Sequence, residues 1–522
     1  MTTQCRCDNT LTNGLIVLLV VALGVLTGCT SAPDRAGVND EFAITPPSDT
    51  NLARWIAQVR SRGDANEGES GVHLLGAGTE AYAARLALIE AATQSIDVQY
   101  YLFHHDATGT ILTWSLWQAA ERGVRVRLLL DDLEKRPNDF PVNMLNAHPN
   151  IEVRLYNPFY RRSARALQMM GEFGRLNHRM HNKSLTADNL ATVVGGRNVG
   201  DEYFDANKRV NFGDLDVLAV GPVVNEVSAA FDDYWNSDLV FPYALLNSDN
   251  HVAQQDKERA AALVDESIAA LEGSPYSTAL VESDIAQHLK DADLAMAWAP
   301  MTLWVDKPDL AAMKAREGGG SFVIDRLLTL FGDAEKELFL VSPYFVPRKK
   351  GTRLLTDKAA AGVDVTVVTN ALAATDVVAV HSGYAKRRKD LLDAGVTAYE
   401  VKASPDVDPK AWSISSNSSL HAKTFIIDRR WVFVGSFNLD PRSAWLNTEM
   451  GILIDSTALA EEMLSKMQGM IDKVAYRVEL QDGELAWTDT FNQQRFDTEP
   501  GASWWRRFSA GVMRFMPVES QL

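Results

Sequence analysis

The residues best equipped for chemistry are two histidines, each followed two positions later by a lysine: His181-Asn-Lys183 and His421-Ala-Lys423. Four residues separate each lysine from an aspartate, Asp188 or Asp428. After six more intervening residues comes a small, amide-bearing stretch, Gly195-Gly196-Arg197-Asn198 or Gly435-Ser436-Phe437-Asn438. The copies are 421 − 181 = 240 residues apart, and Lys, Asp and Asn repeat at that offset. Residues two apart on a strand share a face, so each histidine points the same way as its lysine. Together the copies offer two imidazoles, two ammonium groups and several hydrogen-bond donors to one anionic centre. That set suits phosphodiester exchange by a covalent route. One histidine attacks phosphorus to give a phosphohistidine, and the other protonates the departing alcohol and then deprotonates the incoming one. Imidazole, with an unperturbed pKa of about 6.5, can do either job. Lys183, Lys423, Asn198, Asn438 and Ser436 would hold the non-bridging oxygens. The lysines supply the charge a cation would otherwise bring, so neither metal nor organic cofactor is expected.

The elements that must position these groups are legible around them. Thr424–Ile427 and Trp431–Val434 read as short strands about a turn at Asp428-Arg429-Arg430. Asp188 and Asp428 belong to the catalytic motif, yet their place favours a structural turn role over a part in the chemistry. Further back, Ala81–Ala92 has helical spacing and leads into an apolar strand at Ser95–Phe103. A helix across Thr110–Ala120 and a strand at Gly123–Leu130 follow. The second half echoes this with Phe339–Tyr344 and Gly362–Thr369, whose glycine lies 362 − 123 = 239 residues from its counterpart. Strand–helix–strand alternation in each half predicts a duplicated α/β fold with a mixed or parallel sheet.

At these residues the chain resembles the phospholipase D superfamily, whose mark is a duplicated His-x-Lys-x4-Asp motif. The resemblance extends more loosely from Ser95 to Glu449. It implies two tandem α/β/α sandwich domains forming one active site at their interface, with His181 as nucleophile and His421 as acid/base. It also implies an acidic residue downstream of each motif that orients a catalytic histidine, and Asp214 and Glu449 fit those places. Gly196 stands where the second copy has Ser436, a lost hydroxyl for which Arg197 is expected to compensate. Gln99 and Tyr101, with Tyr344 at the matching strand end, are expected as pocket walls. His381 falls where similar lipid synthases contribute cleft residues, and His104-His105 read as partly exposed strand-end histidines.

With 51 Lys+Arg against 68 Asp+Glu, the net charge of −17 argues against a non-specific nucleic-acid binder. Leu15–Leu26 is a short apolar run ending in Leu26-Thr27-Gly28-Cys29, which resembles a bacterial lipobox. The expected order is a signal peptide (1–28), a flexible tether (29–51), a first domain (52–250), a helical connector (251–297), a second domain (298–500) and an aromatic, basic C-terminal segment (501–522). Lipidation at Cys29 would hold the protein in the cell envelope, at the periplasmic face of the outer membrane. Phe159–Met170 and Trp504–Met516 mix arginines with apolar residues in a way that suits a headgroup interface, or a core-facing helix with surface arginines.

The chain as a whole resembles bacterial cardiolipin synthases, particularly at Gln99–Gly109 and Asn177–Lys183. The implied substrates are membrane phospholipids, phosphatidylglycerol and also phosphatidylethanolamine, with transfer of a phosphatidyl group between them. A hydrolytic phospholipase D, a periplasmic nuclease and a non-catalytic lipid-binding envelope protein are the rival readings. One chain holds both motif copies, so a monomer suffices to build the site.

Overall fold

A computed structural model of the chain describes residues 32–63, 65–134, 140–207, 211–247, 254–272, 288, 293–309, 322–403 and 418–514. Cys29, the apolar run before it and the last eight positions lie outside the described residues. The first half contributes β1 (Ser70–Leu75), β2 (Ser95–Tyr100), β3 (Arg125–Asp131), β4 (Ile151–Tyr156), β5 (Arg179–Met180), β6 (Ser184–Ala187), β7 (Ala191–Gly195), β8 (Asn211–Gly213), β9 (Asp216–Val220), β10 (Val240–Pro242) and β11 (Ala297–Ala299). The second contributes β12 (Met301–Val305), β13 (Glu337–Val341), β14 (Asp364–Asn370), β15 (Thr397–Val401), β16 (Ser418–Leu420), β17 (Thr424–Ile427), β18 (Trp431–Gly435), β19 (Asn447–Thr448), β20 (Met450–Asp455), β21 (Ala475–Gln481), β22 (Glu484–Asp489) and β23 (Gln494–Phe496).

Among the described residues all of these strands but β5, β8, β16 and β19 build two large sheets of matching topology. The first runs β10-β4-β3-β2-β6-β7-β9-β1-β11, and the second runs β12-β20-β18-β17-β13-β14-β15-β21-β22-β23. In each, three neighbouring strands are parallel (β2-β3-β4, β13-β14-β15) and the motif hairpin (β6-β7, β17-β18) joins antiparallel. The first half's parallel strands are buried on both faces: Ile96, Val98, Val126, Leu128 and Val153 pack with the helices Gly78–Ala91 and Ala107–Glu121, and the opposite face holds the buried ion pair of Arg127 with Asp97. The halves share one core, in which Val72, Val194 and Val217 pack in the same cluster as Val341, Val434 and Ile452. That continuity fixes one half against the other.

Both hairpins turn on the motif aspartate, whose backbone is left-handed: φ is 52° at Asp188 and Asn189, 53° at Asp428 and 56° at Arg429. Two consecutive positive-φ residues match the right-handed twist of a tight hairpin, and aspartate tolerates that region better than most residues. Its carboxylate has a second use. Asp188 accepts from the backbone N–H groups of Thr93, Gln94 and Ser95, and Asp428 from those of Glu335, Lys336 and Glu337. The turn is thereby locked to the start of the neighbouring strand, β2 or β13.

Three expected boundaries move. Within the supposed tether, Arg35 donates to Ser237 O, and the N–H groups of Glu41 and Ala43 donate to Asn236 and Asp232. That stretch lies along the body because backbone polar groups there find fixed partners. The helix Gln254–Leu271 of the expected connector packs on the first half's core through Ala260 and Leu271. Trp298 belongs to the first sheet, since β11 pairs with β1, and the crossing to the second sheet comes at Pro300.

Candidate active site

The segment before each motif histidine leaves its own sheet and pairs with the opposite half. β5 runs parallel to β19, with Arg179 opposite Asn447 and Met180 opposite Thr448. β16 runs parallel to β8, with Leu420 opposite Gly213. The pairing continues one residue further: His181 N donates to Thr448 O at 2.8 Å and His421 N to Gly213 O at 2.7 Å. The next residue on each partner strand is an acid. Glu449 Oε2 therefore sits 2.9 Å from His181 Nδ1, and Asp214 Oδ2 sits 2.5 Å from His421 Nδ1. Each half carries one histidine and the acid that orients the other half's histidine. With Nδ1 of each ring engaged by a carboxylate, Nε2 is the ring nitrogen left for a substrate.

Surrounding groups hold this arrangement. Asp131, at the end of β3, accepts from Met180 N and pairs with Arg179. Asn370, at the end of β14, bonds both the N–H and the C=O of Leu420. These two residues fasten the short strands that lead into the histidines, and they differ by 370 − 131 = 239, the chain's own repeat. Sequence reading missed them; a polar residue closing an apolar strand at the repeat offset was the available signal. Asp306 was missed as well, and it binds the backbone of Glu449 in both directions. The Tyr101 ring lies edge-on to His181 at 4.9 Å, while Tyr203 and Phe212 flank His421 at 5.4 and 5.2 Å. Lys183 bonds the carbonyl of His181. Lys423 bonds that of His421 and approaches His421 Nδ1 at 2.6 Å.

The Ser/Gly difference between the motifs has a steric cause. Ser436 Oγ donates to Glu449 Oε2 at 2.5 Å and accepts from Met450 N. A Cβ at Gly196 would stand 2.2 Å from Asp214 Oδ1, so the shorter acid of the first half occupies the space where a serine would be. Arg197 does not replace the missing hydroxyl. Its guanidinium is wholly buried and spent on the carbonyls of Leu75, Gly76, Tyr203 and Asp214.

Burial governs the electrostatics. It pushes Lys183 down to about 7 and Lys423 to about 8, and pushes the Glu449 carboxyl up to about 7. His181 falls well below its ordinary value, first through burial and then through Lys183 and Lys423. His421 is lowered by burial and Lys423, but Asp214 pulls the other way. For Asp214, burial is outweighed by Lys423 and His421, and its carboxylate stays ionised. The centre therefore holds its positive charge loosely until an anion enters. An arriving phosphate favours the protonated lysines and imidazole.

The remaining candidates take other places. Asp188 and Asp428 are seven residues along the strand from their histidines, roughly 20 Å away, and act as turn locks instead of catalytic groups. Gln99 is buried against Met180 Sδ, and His381 is buried between Asn370 O and Glu499, so neither lines a cleft. Asn198 donates to the Tyr203 hydroxyl and accepts from Leu102 N. Asn438 Oδ1 is buried without a partner among the described residues. Tyr344 donates to exposed Asp376, whose charge reaches Lys423. His104 sits among Glu202, Glu134 and Asp106, which raise it to about 9, the hydrogen bond to Glu202 foremost.

Both halves match one family, described as the PLD-like domain of cardiolipin synthases, over residues 86–235 and 327–471. The chain belongs to that family, within the phospholipase D superfamily. It is 40% identical to cardiolipin synthase C of Escherichia coli K12 across 90% of this chain and 99% of that one. It is 24% identical to the major cardiolipin synthase of Bacillus subtilis across 76% and 68% of the two chains. The fold is shared with the crystal structure of phosphatidylserine synthase from Haemophilus influenzae, at a TM-score of 0.57 and 13% identity over 89% of this chain and all of that one. Among the described residues no helix is long and apolar enough to cross a membrane.

Proposed function

We propose that the chain is a phosphatidyltransferase that forms cardiolipin through a phosphohistidine on His181. The observation that carries this is the crossed pairing of His181 with Glu449 and His421 with Asp214, which orients two imidazoles with unlike partners. The Glu449 carboxyl has a strongly raised pKa and gives His181 little help to take a proton, so His181 stays a neutral nucleophile. Asp214 is ionised and supports an imidazolium at His421, the acid. His181 Nε2 attacks phosphorus, and the bond to the donor's headgroup oxygen breaks. His421 gives that oxygen its proton. Neutral His421 then takes the proton of an acceptor hydroxyl, whose oxygen attacks phosphorus and releases His181. Lys183 and Lys423 balance the charge on the non-bridging oxygens.

Phosphatidylglycerol serves as acceptor, and phosphatidylglycerol or phosphatidylethanolamine as donor. The 40% identity to a cardiolipin synthase over nearly the whole chain favours transfer over hydrolysis by the same residues. Lipidation at Cys29 would keep the site beside its substrates at the periplasmic face of the outer membrane, and a monomer suffices for catalysis. Two surface elements support contact with lipid. Leu167, Met170 and Phe173 precede the first motif and are exposed, as are Trp504, Trp505, Phe508 and Val512 on the helix Trp504–Met513.

The test is an incubation of the purified chain in mixed micelles with labelled phosphatidylglycerol, with and without phosphatidylethanolamine, and mass spectrometry of the products. Cardiolipin that depends on His181 and His421 is the expected outcome, and the label names the donor. Phosphatidic acid alone would replace transfer by hydrolysis.

A further inference from the structure

A cavity of about 420 Å³ in the second half is not used by the proposed reaction. It lies between the helices Phe322–Asp333, Arg348–Ala360 and Pro441–Trp445. The last of these separates it from the reacting groups: Ser443 hydrogen-bonds toward Glu449, and Ala444 and Trp445 line the cavity. Its walls are apolar, formed chiefly by Leu328, Phe331, Phe345, Leu354, Phe437 and Trp445. Its size falls within the range of sites that enclose a small ligand.

The rim has one dominant sign of charge. Arg348, Lys349 and Lys350 open the helix Arg348–Ala360, which has no acidic residue in its first turn and no side-chain cap. None of the three has a carboxylate partner among the described residues, and Arg387, 3.9 Å from Asp390, adds a fourth, paired cation. Asp440 is the one carboxylate among the lining residues, and burial pushes it up to about 7. Cations at a helix's first turn oppose its dipole, and in a chain of net charge −17 this run is a local exception. A bound anion relieves both features.

We propose that the cavity takes one acyl chain of an anionic phospholipid, with the headgroup phosphate at Arg348, Lys349 and Lys350. A soluble anion leaves the apolar walls unused, and a neutral hydrocarbon leaves the cations unpaired. An anionic amphiphile satisfies both with one molecule. This site binds lipid without reacting it, so occupancy does not depend on His181 or His421.

The experiment uses the full chain carrying both His181→Ala and His421→Ala, so that no lipid is turned over. It is mixed in micelles with phosphatidylglycerol bearing a photoreactive group on one acyl chain, irradiated, and its labelled peptides are identified. Labelling is expected within 324–331, 348–355 and 437–445. Ala444→Trp, which fills the cavity, is expected to lower it at least fivefold. Lys349→Glu with Lys350→Glu, at surface positions that do not disturb packing, is expected to do the same. A phosphatidylcholine probe is expected to label these peptides at least fivefold less. The proposal is overturned if these peptides stay unlabelled, if the zwitterionic probe labels them equally, or if the charge-reversed chain labels like its parent. Full competition by uncharged hexadecanol or by glycerol phosphate would also overturn it, since each carries only half of the required chemistry.

Discussion

Asp214→Asn isolates the consequence of crossed pairing. Asp214 is fully buried, and its oxygen lies 2.5 Å from His421 Nδ1, so solvent screens the contact little. A hydrogen bond to a charged partner contributes about 1.5–3 kcal/mol. Withdrawing that support from the imidazolium at His421 should slow the acid-dependent step by roughly 10- to 150-fold, at about 1.4 kcal/mol per factor of ten. The amide can also donate to Nδ1 and favour the wrong tautomer, which adds to the loss. The sign of the pH effect follows from the same contact. Asp214 raises the His421 pKa against burial and Lys423, so its removal lowers that pKa further. The acid form is then lost at lower pH, and the alkaline limb of the kcat profile moves down.

The assay is cardiolipin formation against pH, paired with a lipid whose leaving group is p-nitrophenol. That leaving group needs little help from an acid. The variant should therefore release one equivalent of nitrophenol in a burst and then stall, because His421 is still needed as base to activate the acceptor. The trapped phosphate should be found on His181, which lies in the same half as the mutated residue but is not its partner. Turnover within threefold of the parent, or an alkaline limb that stays or moves up, would refute the crossed assignment. Phosphate trapped on His421 would reverse the two roles.

Four further outcomes are expected. His181→Ala and His421→Ala should each abolish turnover, with the double variant no worse than either single one, as for groups that act as a unit. Asp188→Ala should lower the Tm by several degrees while leaving kcat near the parent's, and Asp428→Ala should cost less because its turn is half-exposed; thermal unfolding and assay at low temperature separate the two effects. Gly196→Ala should lower kcat at least tenfold and move the alkaline limb down, since its Cβ displaces Asp214; an unchanged profile would refute the steric reading. Vanadate or phosphate binding near pH 8 should take up protons, because Lys183 at about 7 and Lys423 at about 8 are largely or partly neutral there and an oxyanion favours their charged forms; calorimetry in buffers of different ionisation enthalpy measures this, and proton release would contradict it.

The candidate site was legible in the sequence because its motifs are local. Each His-x-Lys pair lies on one extended segment, and each motif aspartate closes a hairpin a few residues on. The duplication was legible because the strand and turn patterns recur at one offset. Glu449 and Asp214 were readable as acids that orient a histidine, but which histidine each serves depends on contacts across 268 and 207 residues. No local pattern encodes those. Arg197 was misread for a related reason. Sequence adjacency put it beside the motif, whereas its backbone directs the guanidinium into a nest of carbonyls away from the reacting atoms. The stretch from Arg35 to Ala43 has the composition of a linker, but isolated polar groups found fixed partners on the finished fold.

Crossed pairing also bears on why the two halves are held so firmly. If each acid served its own half's histidine, the halves could shift against one another and keep two intact but separated dyads. Here a shift of an ångström breaks both dyads at once, because Glu449 and Asp214 reach across in opposite directions. The parallel strand pairs β5-β19 and β16-β8 hold that register with backbone hydrogen bonds, and the shared apolar core resists sliding because packed side chains have no continuous range of positions. The distance between the two imidazoles is thus set by the backbone ladder and not by the side chains that carry out the reaction. On the proposed mechanism a phosphorus atom between them would meet nucleophile and acid from opposite halves, and the ladder would hold the two rings in place for in-line displacement.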